Sequence, residues 1–377
     1  MKYRLLGRTG LEVSEISIGT EWLHKKSPEE MKDVITKAID YGVNYFDIVF
    51  NFPDYLEKIS YALAGKRDKI ILTHHLGSHY KDHKYNKTRS IKKCLEAFEE
   101  YQKIMKTEYV DLLFIHFIMN KKQYEECIKP GGVLELALKL KEEGKARFLA
   151  ISTHSAEVAI EAANSGKIDA IMTQINIASN AMPLREEMLT TCKKNNVAII
   201  AMKPFGGGTL LQANQVISLS GYKVGGYNLA DKNFTKKKIA SDTTPAKCLH
   251  YVLSQIGVTI AVPGVASKEE LDGVMKYYTA TEEELDYSSL IKEFNEYVTG
   301  ECVYCNHCQP CPADIDIGYL NRLYDVGKII MTDELKKNYN KVEAKASACV
   351  QCGDCLDRCP FEVKIIEKMK DIAAMFE

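Results

Sequence analysis

No apolar run in the 377-residue chain approaches the ~18 residues that a membrane span needs. The opening stretch, Met1-Lys2-Tyr3-Arg4-Leu5-Leu6-Gly7-Arg8, lacks the apolar core of a signal peptide. Charge of one sign is scarce as well. The net charge is −1, so no general field draws nucleic acid or an anionic membrane. Beyond an alternation of apolar and charged segments, no repeat or low-complexity tract stands out. These absences predict a cytoplasmic globular protein with neither nucleic-acid nor membrane partners. The length suits one large domain and a small one.

Cysteine is plentiful and unevenly placed. Of twelve cysteines, eight fall between Cys302 and Cys359, where uniform scatter would put about two. Thiols stay reduced in the cytosol, so metal ligation explains the clustering better than disulfides. The second run, Cys349-Val-Gln-Cys352-Gly-Asp-Cys355-Leu-Asp-Arg-Cys359-Pro360, has the C-x2-C-x2-C-x3-C-P spacing of bacterial ferredoxins. The first, Cys302-Val-Tyr-Cys305-Asn-His-Cys308-Gln-Pro-Cys311-Pro312, has one residue fewer before its last cysteine. In such segments three closely spaced thiolates wrap one cubane, and the fourth reaches the other. The spacing therefore predicts two [4Fe–4S] clusters. Cys302, Cys305, Cys308 and Cys359 hold one; Cys349, Cys352, Cys355 and Cys311 hold the other. Paired zinc knuckles would share the C-x2-C pairs, but each run ends in Cys-Pro. Cys94, Cys127, Cys192 and Cys248 read as buried, small apolar residues.

The rest alternates short apolar runs with charged stretches of helical period. The apolar runs are Ile16–Thr20, Tyr45–Val49, Lys69–His75, Val110–His116, Arg147–Thr153, Ala170–Asn176, Ala198–Lys203 and Thr259–Gly264. Helical stretches include Pro28–Tyr41, Thr88–Lys106, Val133–Glu143 and Pro183–Asn195. Eight strands alternating with helices predict parallel βα units closed into a (β/α)8 TIM barrel. The expected organisation is a barrel over 1–281, a connecting helix over 282–298, and a mainly α-helical ferredoxin-like domain over 299–377. The segment from Tyr3 to Val13 reads as a hairpin that plugs the barrel floor. Phe205–Thr243, Gly-rich and then Lys-rich, reads as a lid or mobile loop. In such barrels the chemistry sits at the strands' C-terminal ends. Those ends carry Asp47, His74, His75, His116, Ser152, His154, Gln174, Asn176, Met202 and Lys203. Asp47, His75, His116 and His154 could alternatively hold a metal.

Tyr3-Arg4-Leu5-Leu6-Gly7-Arg8-Thr9-Gly10-Leu11-Glu12-Val13-Ser14 resembles the N-terminal signature of the aldo/keto reductase family. Gly42-Val43-Asn44-Tyr45-Phe46-Asp47 and Tyr109-Val110-Asp111-Leu112-Leu113-Phe114-Ile115-His116 resemble its two catalytic strand ends. Lys203-Pro204-Phe205-Gly206-Gly207-Gly208 and Val262-Pro263-Gly264 resemble later segments. The cysteine runs match the subgroup with a ferredoxin-like tail.

The resemblance implies a catalytic tetrad of Asp, Tyr, Lys and His, in which the tyrosine gives a proton to the substrate carbonyl. By position the aspartate is Asp47 and the histidine His116. Phe52 stands where the tyrosine belongs, and His75 where the lysine belongs. A phenyl ring has no proton to give. Tyr55 is then the candidate phenol, or His75 or His116 the acid. By the same resemblance Ser152, His154, Gln174, Met202 and Lys203 line the nicotinamide site. Gln174 could bind the carboxamide there, but Met202 replaces the stacking aromatic ring.

The sequence thus predicts an oxidoreductase acting on a small molecule. Its eroded tetrad favours electrons passing through the clusters, from a ferredoxin or another one-electron donor, to a substrate or second cofactor at the barrel mouth. NAD(P)H-dependent carbonyl reduction with auxiliary clusters is the alternative. A non-enzymatic electron carrier is the third reading.

Overall fold

The computed structural model describes residues 1–81, 84–180, 182, 184–211, 223–224, 227–228, 243–288, 290, 300, 302, 308, 311–329, 331–359 and 362–377. The contacts divide the chain into two compact units, Met1–Phe205 with Thr244–Ile291, and Gly206–Thr243 with Lys292–Glu377.

The first unit opens with a hairpin of β1 (Tyr3–Leu5) and β2 (Glu12–Ser14). Six of the barrel strands follow in chain order, with one excursion. They are β3 (Ile18–Gly19), β4 (Tyr45–Asp47) and β5 (Ile71–Leu76), then, after a small hairpin of β6 (Ser78–Lys81) and β7 (Lys84–Lys87), β8 (Val110–Ile118), β9 (Ala146–Thr153) and β10 (Ala170–Gln174). Next comes β11 (Ala198–Met202); the two-residue strands β12 (Lys223–Val224) and β13 (Tyr227–Asn228) belong to the second unit, and β14 (Val258–Val262) completes the set. The parallel order is β14-β11-β10-β9-β8-β5-β4-β3. Parallel bridges Ile16–Ala261 and Gly19–Gly264 join its two edges. This is the expected (β/α)8 barrel.

Strand side chains alternate between faces, and the alternation here fills the lumen in layers. Tyr45, Ile71, Leu112, Phe114, Ala150, Ala170, Met172, Ala198, Ile200, Ile260 and Val262 form one buried cluster with Leu6 and Val13 of the hairpin. The hairpin therefore seals the floor. Gly7 allows it: φ is +51°, and a Cβ would lie 2.7 Å from both Asn196 O and Ala198 N.

The helices begin where local chemistry permits. α1 (Pro28–Asp40) starts with Pro at its first turn and a reciprocal Ser27–Glu30 capping box. α2 (Pro53–Ala62) also begins with Pro, directly after Phe52. α3 (Ile91–Met105) is capped by Ser90 and stops at Lys106, which is left-handed at φ +52°. Cys94, Cys127, Cys192 and Cys248 are all buried. No helix among the described residues is long and apolar enough to cross a membrane.

The second unit packs a core of its own. Ile317, Leu320, Leu323 and Val326 of helix Ile317–Ile329 meet Leu335, Tyr339, Ile365, Met369 and Ile372. The expected connecting helix over 282–298 begins with the short helix Glu282–Leu285, and 291–299 lie outside the described residues. Most of the expected lid over 205–243 lies outside them as well.

Candidate active site

Asp47 ends β4 and His75 lies on β5. The imidazole Nε2 of His75 is 3.0 Å from Asp47 Oδ1. Its Nδ1 is 3.1 Å from Nδ1 of His116, on β8. The His75 ring lies flat on Phe114, with centroids 4.5 Å apart and planes 6° apart. Stacking and two hydrogen bonds leave that ring no rotational freedom. Both histidines are almost completely buried. Burial first, then His75 and the cations Lys87 and Arg89, hold His116 well below the usual histidine range. His116 is therefore a neutral imidazole.

The fourth member of this chain comes from the β6–β7 hairpin. Tyr85 hydroxyl makes a short hydrogen bond to His116 Nε2. The hairpin leaves β5 through Gly77 at φ +99°, where a Cβ would stand 2.8 Å from Thr88 O. Thr88 N donates to Gly77 O at 2.9 Å, closing the return. Asn51 Nδ2 donates to Ser78 O at 2.7 Å, and Ser78 Oγ to Val49 O at 2.6 Å. These bonds moor the hairpin to the loop after β4. Tyr80 and Tyr85 are a cross-strand pair, so they share a face. Tyr80 packs edge-on to Phe52 at 5.1 Å, and Tyr85 to Phe50 at 5.3 Å. Sequence reading missed Tyr85. The sequence shows tyrosines at 80 and 85 in a short polar stretch between a strand and a capped helix, but nothing local pairs either with His116.

Tyr55 is not brought to this chain. It is fully buried on α2, and its hydroxyl meets Thr20 Oγ1, which donates to the Asp47 backbone carbonyl. Burial pushes its phenol far above the ordinary value. A tyrosine two residues into a helix points back over the helix start, here into the floor of the mouth. His74 is likewise elsewhere. Adjacent strand residues face opposite ways, so His74 packs outside the barrel on Phe98 and Tyr101 at 5.1 and 4.6 Å.

Across the mouth, Ser152, Gln174 and Met202 fall on the lumen side of β9, β10 and β11, two residues beyond Ala150, Met172 and Ile200. Ser152 Oγ accepts the Phe117 amide at 2.8 Å. Phe117 has φ +53° within a bulge of β8, a strained conformation of the kind that collects at functional sites. Gln174 hydrogen-bonds His154, which burial and then nearby Lys203 hold well below the usual histidine range. Lys203 is left-handed at φ +56°, and its carbonyl accepts Asn176 Nδ2 at 3.1 Å. A nicotinamide carboxamide needs one donor and one acceptor group facing it. The buried Ser152 hydroxyl and Gln174 amide fit that need, while Met202 presents a thioether in place of a ring.

Among the described residues no group of three His, Cys, Asp or Glu side chains is placed to hold one metal ion. The nitrogens of His75 are instead engaged by Asp47 and His116.

In the second unit, Cys311, Cys349, Cys352 and Cys355 line one cavity, with Pro312, Ile315 and Met369 among its apolar walls. Burial, then the thiols of Cys349 and Cys352 and that of Cys311, push Cys355 up to about 11. Of the other expected set, Arg358, next to Cys359, donates Nη1 to the Cys308 carbonyl at 3.4 Å. Cys302 packs against the same core. Cys305 lies outside the described residues.

The profile of the Aldo/keto reductase family matches residues 15–293. The chain belongs to the aldo/keto reductase family. Its curated relatives include "Uncharacterized oxidoreductase YqkF" of Bacillus subtilis (strain 168), 25% identical over 284 residues, spanning 72% of this chain and 89% of the relative. L-glyceraldehyde 3-phosphate reductase of Escherichia coli (strain K12) is 24% identical over 303 residues, spanning 72% and 86%. Among solved structures, aldo-keto reductase AKR11C1 from Bacillus halodurans superposes with a TM-score of 0.62 at 22% identity, over 79% of this chain and 97% of that one. This aldo/keto reductase is thus an oxidoreductase of the family's barrel type.

Proposed function

We propose that the barrel is an NAD(P)H-dependent reductase of small carbonyl compounds. The buried Asp47–His75–His116 chain at the mouth supports this reading. A carbonyl receiving a hydride needs a proton on its oxygen. A carboxylate, two imidazoles and hydrogen bonds of 3.0 and 3.1 Å form a store and a path for one. A bound reduced nicotinamide would supply the hydride. Ser152 and Gln174 would hold its carboxamide, and Lys203 would add positive charge beside it. His75 takes the lysine's place next to Asp47, so the carboxylate retains a cationic partner when His75 is protonated.

The erosion of the tetrad first argued for one-electron delivery to the barrel without nicotinamide. Membership of the family, and relatives named as reductases, support the nicotinamide alternative better. A ferredoxin partner is not required by it. The same proposal places two [4Fe–4S] clusters in 299–377, on Cys302, Cys305, Cys308 and Cys359, and on Cys349, Cys352, Cys355 and Cys311. The ferredoxin-type spacing and the shared cavity of the second set support this assignment. Such clusters move single electrons and would serve the reductase as auxiliary centres.

Titration of anaerobic, cluster-replete protein with NADPH and NADH, followed by nicotinamide fluorescence, tests the reading. Saturable binding, with oxidation on adding a small aldehyde, is the expected result. Absence of binding of either nucleotide would overturn it.

A further inference from the structure

We propose that Tyr85, delivered by the β6–β7 hairpin, is the catalytic acid that protonates the substrate oxygen, with His116 and His75 as its proton supply. The inference rests on the carbonyl-reductase reading and deepens it. Phe52 leaves the mouth without a phenol from the loop after β4, and Tyr55 is bound to Thr20 in the floor. Tyr85 is of intermediate exposure, and burial raises its phenol above the ordinary value as it does for Tyr55, but Tyr85 alone ends an unbroken chain of hydrogen bonds from Asp47.

The chain has a direction because each ring uses both nitrogens. In the resting form the Asp47 carboxylate can only accept, so His75 Nε2 carries a proton. A neutral His75 then accepts at Nδ1 from His116 Nδ1–H, and His116 accepts at Nε2 from the Tyr85 hydroxyl. In this form the Tyr85 proton points into the chain and away from substrate. One added proton reverses the order. The place for the positive charge is His75, because its Nε2 faces the Asp47 carboxylate at 3.0 Å. His75 then donates from Nδ1 to His116 Nδ1. His116 donates from Nε2 to the Tyr85 oxygen, and the phenol proton is turned outward.

The chemical step balances from this loaded form. The reductant is the hydride of a reduced nicotinamide. As it adds to the carbonyl carbon, the π pair moves to oxygen, and that oxygen takes the Tyr85 proton. The phenolate oxygen takes the His116 Nε2 proton. His116 Nδ1 takes the His75 Nδ1 proton, and His75 is left neutral with its Nε2–H on Asp47. The carbonyl is reduced by two electrons to the alcohol, and the chain is reloaded in reverse: the Tyr85 hydroxyl proton passes to His116 Nε2, the His116 Nδ1 proton to His75 Nδ1, and the Tyr85 oxygen takes one proton from solvent. Phenolate never accumulates, so a buried phenol can act without the lysine.

The test is Tyr85→Phe in the whole, cluster-replete protein, with NADPH or NADH and a small aldehyde. The ring's packing on Phe50 is kept, so circular dichroism is expected to stay unchanged, with only the small fall in melting temperature that loss of one hydrogen bond brings. kcat is expected to fall about 10²–10⁴-fold while the KM for the nucleotide stays level. A second variant carries a fluorinated, more acidic tyrosine at position 85. It is expected to move the pH profile of kcat/KM to lower pH, which a purely structural residue would not do. An active wild type with Tyr85→Phe at full kcat and an unmoved profile would overturn the assignment and leave the reductase reading standing. A wild type that oxidises neither nucleotide with any carbonyl would overturn both.

Discussion

Asp47 gives the hydrogen-bonded chain at the barrel mouth its polarity, because a carboxylate accepts and does not donate. Asp47→Asn keeps the shape and removes the charge. It is expected to lower kcat by about 10²–10⁴-fold with little change in melting temperature, as read by steady-state assay and calorimetry together. Tyr55 behaves in the opposite way. Its hydroxyl is buried against Thr20, so Tyr55→Phe is expected to cost about 1–2 kcal/mol of stability in chemical denaturation and to leave turnover unchanged. Asp47, His75 and His116 were legible as strand ends in the sequence, and the structure joins them. His74 and His75 were not separable by type, only by the two-residue period of a strand. Ile71 and His75 share the lumen face, which sends His74 outward. Tyr85 was hidden because its partner, His116, is thirty-one residues away, and nothing local marks that contact.

At the level of elements, the eight barrel strands were readable because each is a short apolar run between amphipathic helices. The β6–β7 hairpin was not. It is brief and polar, and tertiary bonds to Asn51 and Val49 hold it in place rather than hydrophobic period. Gly77 is its hinge point. A side chain there meets a left-handed φ of +99° and Thr88 O at 2.8 Å. Gly77→Val is expected to cost about 1–3 kcal/mol locally. Hydrogen exchange should rise over residues 78–88, and kcat should fall as Tyr85 loses its place. Barrel strands should keep their protection, since the hairpin is not part of the closed sheet. Wild-type exchange rates in 78–88 of the variant would show that the glycine is dispensable.

For the whole molecule, three buried histidines, His74, His116 and His154, are held well below the usual histidine range, chiefly by burial. The unfolded chain takes up protons at these positions below pH ~6.5, while the folded chain does not. Stability is therefore full above that pH and is lost as pH falls through it, by about 1.4 kcal/mol per pH unit for each such histidine. Denaturant melts between pH 7.5 and 5.5 should show this fall, and a flat profile would contradict the burial. The cysteine runs led the sequence reading to expect a separate C-terminal domain over 299–377, and the choice between nicotinamide and one-electron chemistry was not legible there. The missing tyrosine and lysine pointed one way in the sequence, and the family's barrel with its proton path points the other. The most direct measurement compares carbonyl-dependent NADPH and NADH oxidation, under argon, in wild type, His75→Gln and a Cys349→Ser/Cys355→Ser variant. The account predicts turnover in wild type, turnover retained in the cysteine variant, and a loss of about 10²-fold or more in His75→Gln. Turnover supported only by a one-electron donor, and abolished with the cysteines, would contradict it.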